Sequence, residues 1–257
     1  MSAVRGGSGS EAQREQAHPT VGSRSGGTRL AWVSAVGRGQ RPLQLALVIL
    51  SFVTGLVDAV TYLAFGHIFA ANMTGNVIVL GLALVGAGEI SATASVVSLC
   101  SFIIGAAVSA RLAGALHHTR PGWLLTLLSL ETGLLALAAA ACLVPRSVVS
   151  DMVVVGLLAV AMGMRIVTVR RLGISDVSTT VVTSTLAGLA ADVLLSGAPF
   201  RDGGVRLAVV AAMLFGAAAG AVLLGGGAAL VLGVAASLVL LVTVSYVAAI
   251  QRRTIFD

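Results

Sequence analysis

Residues 43–64 read LQLALVILSFVTGLVDAVTYLA, residues 65–67 read FGH, and residues 68–76 read IFAANMTGN. The first stretch carries one charge, Asp58, and is long enough for a helix to cross a bilayer, which takes roughly 20 apolar residues. Phe65-Gly66-His67 then interrupts it. A second apolar run opens at once, with Asn72, Thr74, Gly75 and Asn76 in its first turns. Irregular backbone at membrane depth is tolerated where it is buried in protein or lines a cavity. The second run is therefore either a full span or a re-entrant, broken helix. Gly66 permits the chain to turn, and Gly75 is expected to supply a non-helical backbone angle.

The same texture extends through the rest of the chain. Further apolar runs cover residues 68–88, 90–110, 123–143, 152–169, 177–198, 207–224 and 228–250, separated by Arg120-Pro121-Gly122, Pro145-Arg146, Arg170-Arg171-Leu172-Gly173, residues 199–204 and Gly225-Gly226-Gly227. Of the 257 residues, 57% are hydrophobic and 10% charged, against about 25% charged in a soluble domain; mean hydropathy is +1.02. A soluble domain and a disordered chain are both excluded. The runs do not alternate in hydrophobicity, which excludes a transmembrane barrel. The fold expected is an all-α polytopic bundle of six to eight hydrophobic helices over residues 43–250, preceded by a disordered basic tail (1–42) and followed by a short tail (251–257).

All 16 basic residues are arginine, and net charge is +6. Arg5, Arg14, Arg24, Arg29, Arg38 and Arg41 crowd the first 41 positions. Such a flank is expected on the cytoplasmic side, where it can meet anionic lipid head groups. With Trp32 as its one aromatic residue it offers no stacking platform for nucleic acid. Arginine in place of lysine, with abundant Ala and Gly, suggests a high-GC bacterium and hence a plasma-membrane location. Elsewhere the charge rule does not choose a topology. Eight spans put Arg146, Arg201, Arg206, Arg252 and Arg253 inside. A re-entrant second run puts an equal set inside, Arg111, Arg120, Arg165, Arg170 and Arg171.

A weak internal repeat is legible. Residues 55–59 (GLVDA) align with residues 163–167 (GMRIV) 108 positions on, and Thr74-Gly75-Asn76 with Thr183-Ser184-Thr185. Glycine-interrupted segments at matching places in two halves point to a transporter site.

Charged groups inside apolar runs cost about 2.5–3.5 kcal/mol each on insertion scales. Asp58, Glu131, Arg165 and Asp192 are such groups, and each needs a partner or a wet cavity. They serve either as a functional site or as pairs that fix helix register; Arg165, nearer a run's end, can also snorkel to the head groups. Asp58 and Tyr62 share a helix face, so a tyrosine hydroxyl can donate to the carboxylate. Asn72, Thr74 and Asn76 add neutral oxygens and amides. Together with Arg165, Thr183 and Asp192 they form the candidate pathway for a small solute or ion. The matching places of Asp58 and Arg165 in the repeat suggest that the two pair. Cys100, Cys142 and the loop pair His117-His118 lack metal or redox spacing, so no cofactor or metal is expected.

The motif DAxxYL (Asp58 to Leu63), AxMTGN (Ala71 to Asn76) and the Leu80-Gly81 that follows resembles the YoaK family of bacterial integral membrane proteins, a domain of unknown function. Gly163, Val169-Arg170-Arg171-Leu172-Gly173, residues 179–183 and residues 186–192 agree in the second half. The resemblance implies a multi-pass protein of about six spans with no established activity. The family tends to carry Gln-Asn where this chain has Arg165-Ile166, and Thr-Gly-Thr where it has Thr183-Ser184-Thr185, so any polar site shared by the halves is altered here. No GxSxG, HExxH or phosphate loop is present, and an enzyme is not expected. The leading expectation is a transporter; the alternative is a scaffold, sensor or accessory subunit.

Overall fold

The computed structural model describes residues 40–87, 91–115, 120–171 and 203–256. The tail before Gln40, the loop histidines, Thr183, Asp192 and the second-half polar match lie outside these residues. The described helices are α1 (Gln40–Ala64), α2 (Met73–Leu84), α3 (Ala92–Ala115), α4 (Arg120–Ala141), α5 (Val148–Arg171), α6 (Gly203–Leu223) and α7 (Ala228–Phe256). The last runs through residues 251–256, which the sequence reading had assigned to a tail. Six of them are long and apolar enough to cross a membrane. The exception, α2, has 12 residues and is about 18 Å long, too short for a hydrocarbon core of about 30 Å.

Local chemistry sets the helix boundaries. Ser91 caps α3 by accepting from the Ala94 N–H at 3.1 Å, and Ser147 caps α5 by accepting from Ser150 at 3.1 Å. Asp151 in the first turn of α5 and Arg170 and Arg171 in its last complement the helix dipole. Pro145 stands in the connection ahead of α5, where a missing N–H costs nothing. Most hydroxyls within the spans, including Ser51, Thr61, Thr132, Thr168 and Thr243, donate to the carbonyl one turn back. They are consumed within their own helix.

Packing orders the helices. In their most apolar stretches α1 and α5 are 56% and 61% buried, against 22% for α3 and α6. The first pair is therefore central and the second peripheral. Val53, Leu56, Val57 and Val60 of α1 join Leu127 and Leu135 of α4, Val154, Val155 and Leu158 of α5, and Val231, Leu232 and Val239 of α7 in one core. Ile103, Ile104, Leu214, Phe215, Val222, Leu240 and Leu241 remain exposed, an apolar exterior suited to lipid.

Helix direction follows from close approaches. Gly216 lies against the Phe52 backbone and Gly220 against that of Leu56, so α6 runs parallel to α1. Gly156 approaches Ser101 and Gly105 approaches Val160, so α5 runs parallel to α3. Small residues let backbones meet in this way. Gly66, just beyond α1, lies beside Ser91 and Ala94 at the start of α3. Arg146, in the connection between α4 and α5, donates to the Ala64 carbonyl at 2.6 Å and stands 5.0 Å over the Phe65 ring. The end of α1 and the starts of α3 and α5 thus share one face, and α1 is antiparallel to both.

The segment between α1 and α3 therefore enters and leaves by the same face: α2 is re-entrant. The halves α1–α4 and α5–α7 have opposite orientations, the arrangement of an inverted repeat. With these directions, the helix ends bearing Arg41, Arg111, Arg120, Arg170, Arg171, Arg206, Arg252 and Arg253 lie at one end of the bundle. Among the described residues Arg146 stands at the other. Arg165, which the sequence reading counts with the inward-side arginines in one topology, is instead buried within α5.

Candidate functional site: the re-entrant segment and the buried carboxylates

The break after α1 is a property of two residues. Gly66 has φ +92° and His67 φ +60°; the glycine adopts this left-handed angle without a Cβ penalty. The chain then turns inward, burying Ile68 and Ala70 completely. Its backbone is no longer helical there, so its N–H groups need partners.

Side chains provide them. Asp58 Oδ1 accepts from the N–H of Ala70 at 2.9 Å and of Ala71 at 2.8 Å. Asn76 Oδ1 accepts from the Phe69 N–H at 2.8 Å, and its Nδ2 donates to the Phe69 carbonyl at 2.6 Å and to Ser98 Oγ at 3.0 Å. Ser98 donates to the same carbonyl at 2.7 Å. Asn72 caps α2 by accepting from the Gly75 N–H at 3.2 Å. Helices α1, α2 and α3 are thus tied together through one stretch of irregular backbone.

The other oxygen of Asp58 is different. Oδ2 is buried and has no hydrogen-bond partner, and Asp58 as a whole is 5% exposed. Tyr62 does not supply the expected hydroxyl. Its ring turns to the surface, 40% exposed, stacked on Phe69 and edge-on to His67, each centroid 5.2 Å away. Thr74 is exposed. Gly75 serves a purpose other than the one expected. It lies inside α2, and a Cβ there would fall 2.9 Å from the Phe69 ring and from Asn72 Nδ2; it provides space, not an unusual angle.

Arg165 is buried, and its partner is not Asp58. Its Nε donates to Glu131 Oε1 at 2.6 Å, and its Nη2 completes the ion pair with the same oxygen. Nη1 donates to the Leu50 carbonyl at 2.8 Å and to Thr54 Oγ1 at 2.9 Å. The expected contact between the first and fifth runs is present, one turn below Asp58, but the charge is answered by α4. A guanidinium at this depth has no route to the head groups, so it takes the nearest carboxylate.

Of the sequence-predicted residues, Asp58, Asn72 and Asn76 come together around residues 69–71. Tyr62 and Thr74 border them, and Arg165 forms a separate cluster with Glu131. Ser98 was not foreseen, since a serine inside an apolar run carries no signal in one sequence.

Comparison with known proteins agrees with this architecture. A family model described as a protein of unknown function (DUF1275) matches residues 46–245. The UPF0700 transmembrane protein YoaK of Bacillus subtilis (strain 168) is 35% identical over 149 residues, which cover 57% of this chain and 65% of that protein. The match therefore spans a little under two thirds of the relative's length. No solved structure matches.

Proposed function

This chain belongs to the DUF1275 family of multi-pass membrane proteins, and on that footing we propose that it is a transporter of a small solute or ion. The observation that carries the reading is the re-entrant segment at residues 65–72, held by a buried carboxylate that keeps one oxygen unpartnered, within halves of opposite orientation. Inverted halves with interrupted helices at the polar site are the usual construction of secondary transporters. The transport reading assigns the solute pathway to Asp58, Asn72 and Asn76, with Tyr62 and Thr74 at its mouth.

The location proposed is a bacterial plasma membrane. The arginine-rich end of the bundle faces the cytoplasm by the positive-inside rule, and Arg146 faces outward. The N-terminal tail then lies on the cytoplasmic side, where its arginines can meet anionic lipids. No catalytic step is assigned.

The test is uptake of a panel of solutes into proteoliposomes by the wild type and by Asp58→Asn. Transport by the wild type that is lost in a correctly inserted variant supports the reading. Undiminished transport by the variant removes Asp58 from the pathway. One observation favours a scaffold or accessory subunit instead: Arg165, Glu131, Asn76 and Ser98 are all bonded to protein. A stoichiometric partner co-purifying with a protein inert across the panel would establish that alternative.

A further inference from the structure

The two buried carboxylates of the described residues are treated differently by the fold. Glu131 is 3% exposed and has a guanidinium against it; the charges cancel. Asp58 has two backbone N–H donors on Oδ1, none on Oδ2, and no cation of its own. The one buried cation among the described residues, Arg165, is committed to Glu131, Leu50 and Thr54. A lone ionised carboxylate in an apolar interior is the costliest state available to it, and it is relieved by a proton or a bound cation.

The surroundings favour the proton. A metal ion needs several oxygen or nitrogen ligands, and no group of three or more His, Cys, Asp or Glu gathers among the described residues. The hydroxyls of Thr61 and Ser95 do not supply Oδ2 with a donor, since Thr61 donates to the carbonyls of Val57 and Asp58, and Ser95 to that of Ser91. A proton needs only the lone pair on Oδ2. Tyr62, one helical turn above Asp58, and His67 beside it are both exposed, and they mark the nearby surface from which a proton would come. Facing groups are few. The α3 side offers Ser95 and Ser98, α5 offers Arg165 already paired to Glu131 of α4, α1 itself offers Tyr62, and the segment offers His67.

We propose that Asp58 is a proton-binding site, loaded on Oδ2 from the aqueous face that carries Tyr62 and His67. One O–H bond forms on Oδ2 as one O–H bond of a hydronium ion at that face breaks, a neutral water is left behind, and the carboxylate goes from charged to neutral. Loading discharges the carboxylate and weakens the acceptor that holds the Ala70 and Ala71 amides, so it loosens the inward turn of the segment. This deepens the transport reading by naming its coupling ion, and it rests on that reading for the use made of the proton.

The experiment is infrared difference spectroscopy of the full-length protein in liposomes, titrated from acid to alkaline pH in sodium chloride and again in choline chloride. The wild type is expected to show a protonated carboxyl C=O band that appears on acidification at the same midpoint in both salts. Asp58→Asn is expected to lose that band, and Asp58→Glu to keep it at a shifted frequency. If Asp58→Asn does not fold, the wild type against Asp58→Glu carries the same comparison. Spectra without any band dependent on residue 58 overturn the proposal. A midpoint that moves with sodium overturns it in favour of a metal cation. Solute uptake by the same samples separates the two readings: the band without uptake removes the transporter and keeps the proton site, whereas uptake without the band does the reverse.

Discussion

Gly55 and Gly163 occupy equivalent places in two helix crossings of the same form. A Cβ on either would fall 2.1 Å from a carbonyl oxygen three residues before the partner glycine, that of Met213 for Gly55 and of Phe102 for Gly163. The partners answer in kind, since a Cβ on Gly216 or Gly105 would fall 2.1 Å from the carbonyl of Phe52 or Val160. The faint similarity between residues 55–59 and 163–167 is therefore a repeated packing device.

Substituting either glycine should be costly. Gly55→Ala or Gly163→Ala forces backbone against backbone, and overpacking of this kind costs about 1–3 kcal/mol or more. Gly133→Ala, with nothing within 4 Å of the added carbon, should be neutral or stabilise α4 by up to about 1 kcal/mol. Thermal unfolding in detergent checks the contrast; equal losses at all three positions would refute the crossings.

Breaking the buried pair at one end should be worse than removing it. Glu131→Gln leaves Arg165 charged and buried, at about 3–5 kcal/mol. The double variant Glu131→Leu with Arg165→Met should recover most of that loss. A double-mutant cycle on unfolding midpoints measures it, and additive losses would show that the two residues do not act together.

The ties that hold the re-entrant backbone should show in single deletions. Asn76→Ala orphans the Phe69 N–H and leaves its carbonyl to Ser98 alone, and Ser98→Ala removes that second donor. Each should destabilise by about 1–3 kcal/mol, with Asn76→Ala the larger. Protease sensitivity within residues 65–91 should rise with it. A stable, protease-resistant Asn76→Ala would mean that the segment is held by other contacts.

Single cysteines in a background of Cys100→Ser and Cys142→Ser should report the topology. Cysteines at Ala87 and Ser147 should react with an impermeant maleimide added to intact cells. Those at Ala115 and Gly204 should react only after permeabilisation. A cysteine at His67 should behave as the one at Ala87 does, and opposite behaviour of these two, which bracket α2, would make it a full span.

The spans were legible because hydrocarbon imposes one requirement on every exposed face, and apolar runs of sufficient length record it directly. The break was legible as well, since Gly66 and the Asn72 to Asn76 cluster have no place inside an ordinary span. Partner choice was not. Spacing fixes depth along a helix but says nothing about which helix stands beside it, so Arg165 was matched to Asp58 by register although Glu131 is its neighbour in space. Tyr62 misled for a related reason: sharing a helix face with Asp58 does not set the rotamer, and Phe69 and His67 draw the ring outward.

The crossings also bear on how the protein is made. Helix α1 is completed by α6, and α3 by α5, so neither half can finish its own packing. A nascent chain must hold α1 in the membrane with its glycine face uncovered until α6 has been synthesised, long after α4 has left the ribosome. The halves are therefore not separable modules. A product truncated after α4 should be an orphan, held only by whatever chaperones or quality-control proteases attend the insertion site, and a gene split at that point should yield function only when both fragments are produced together.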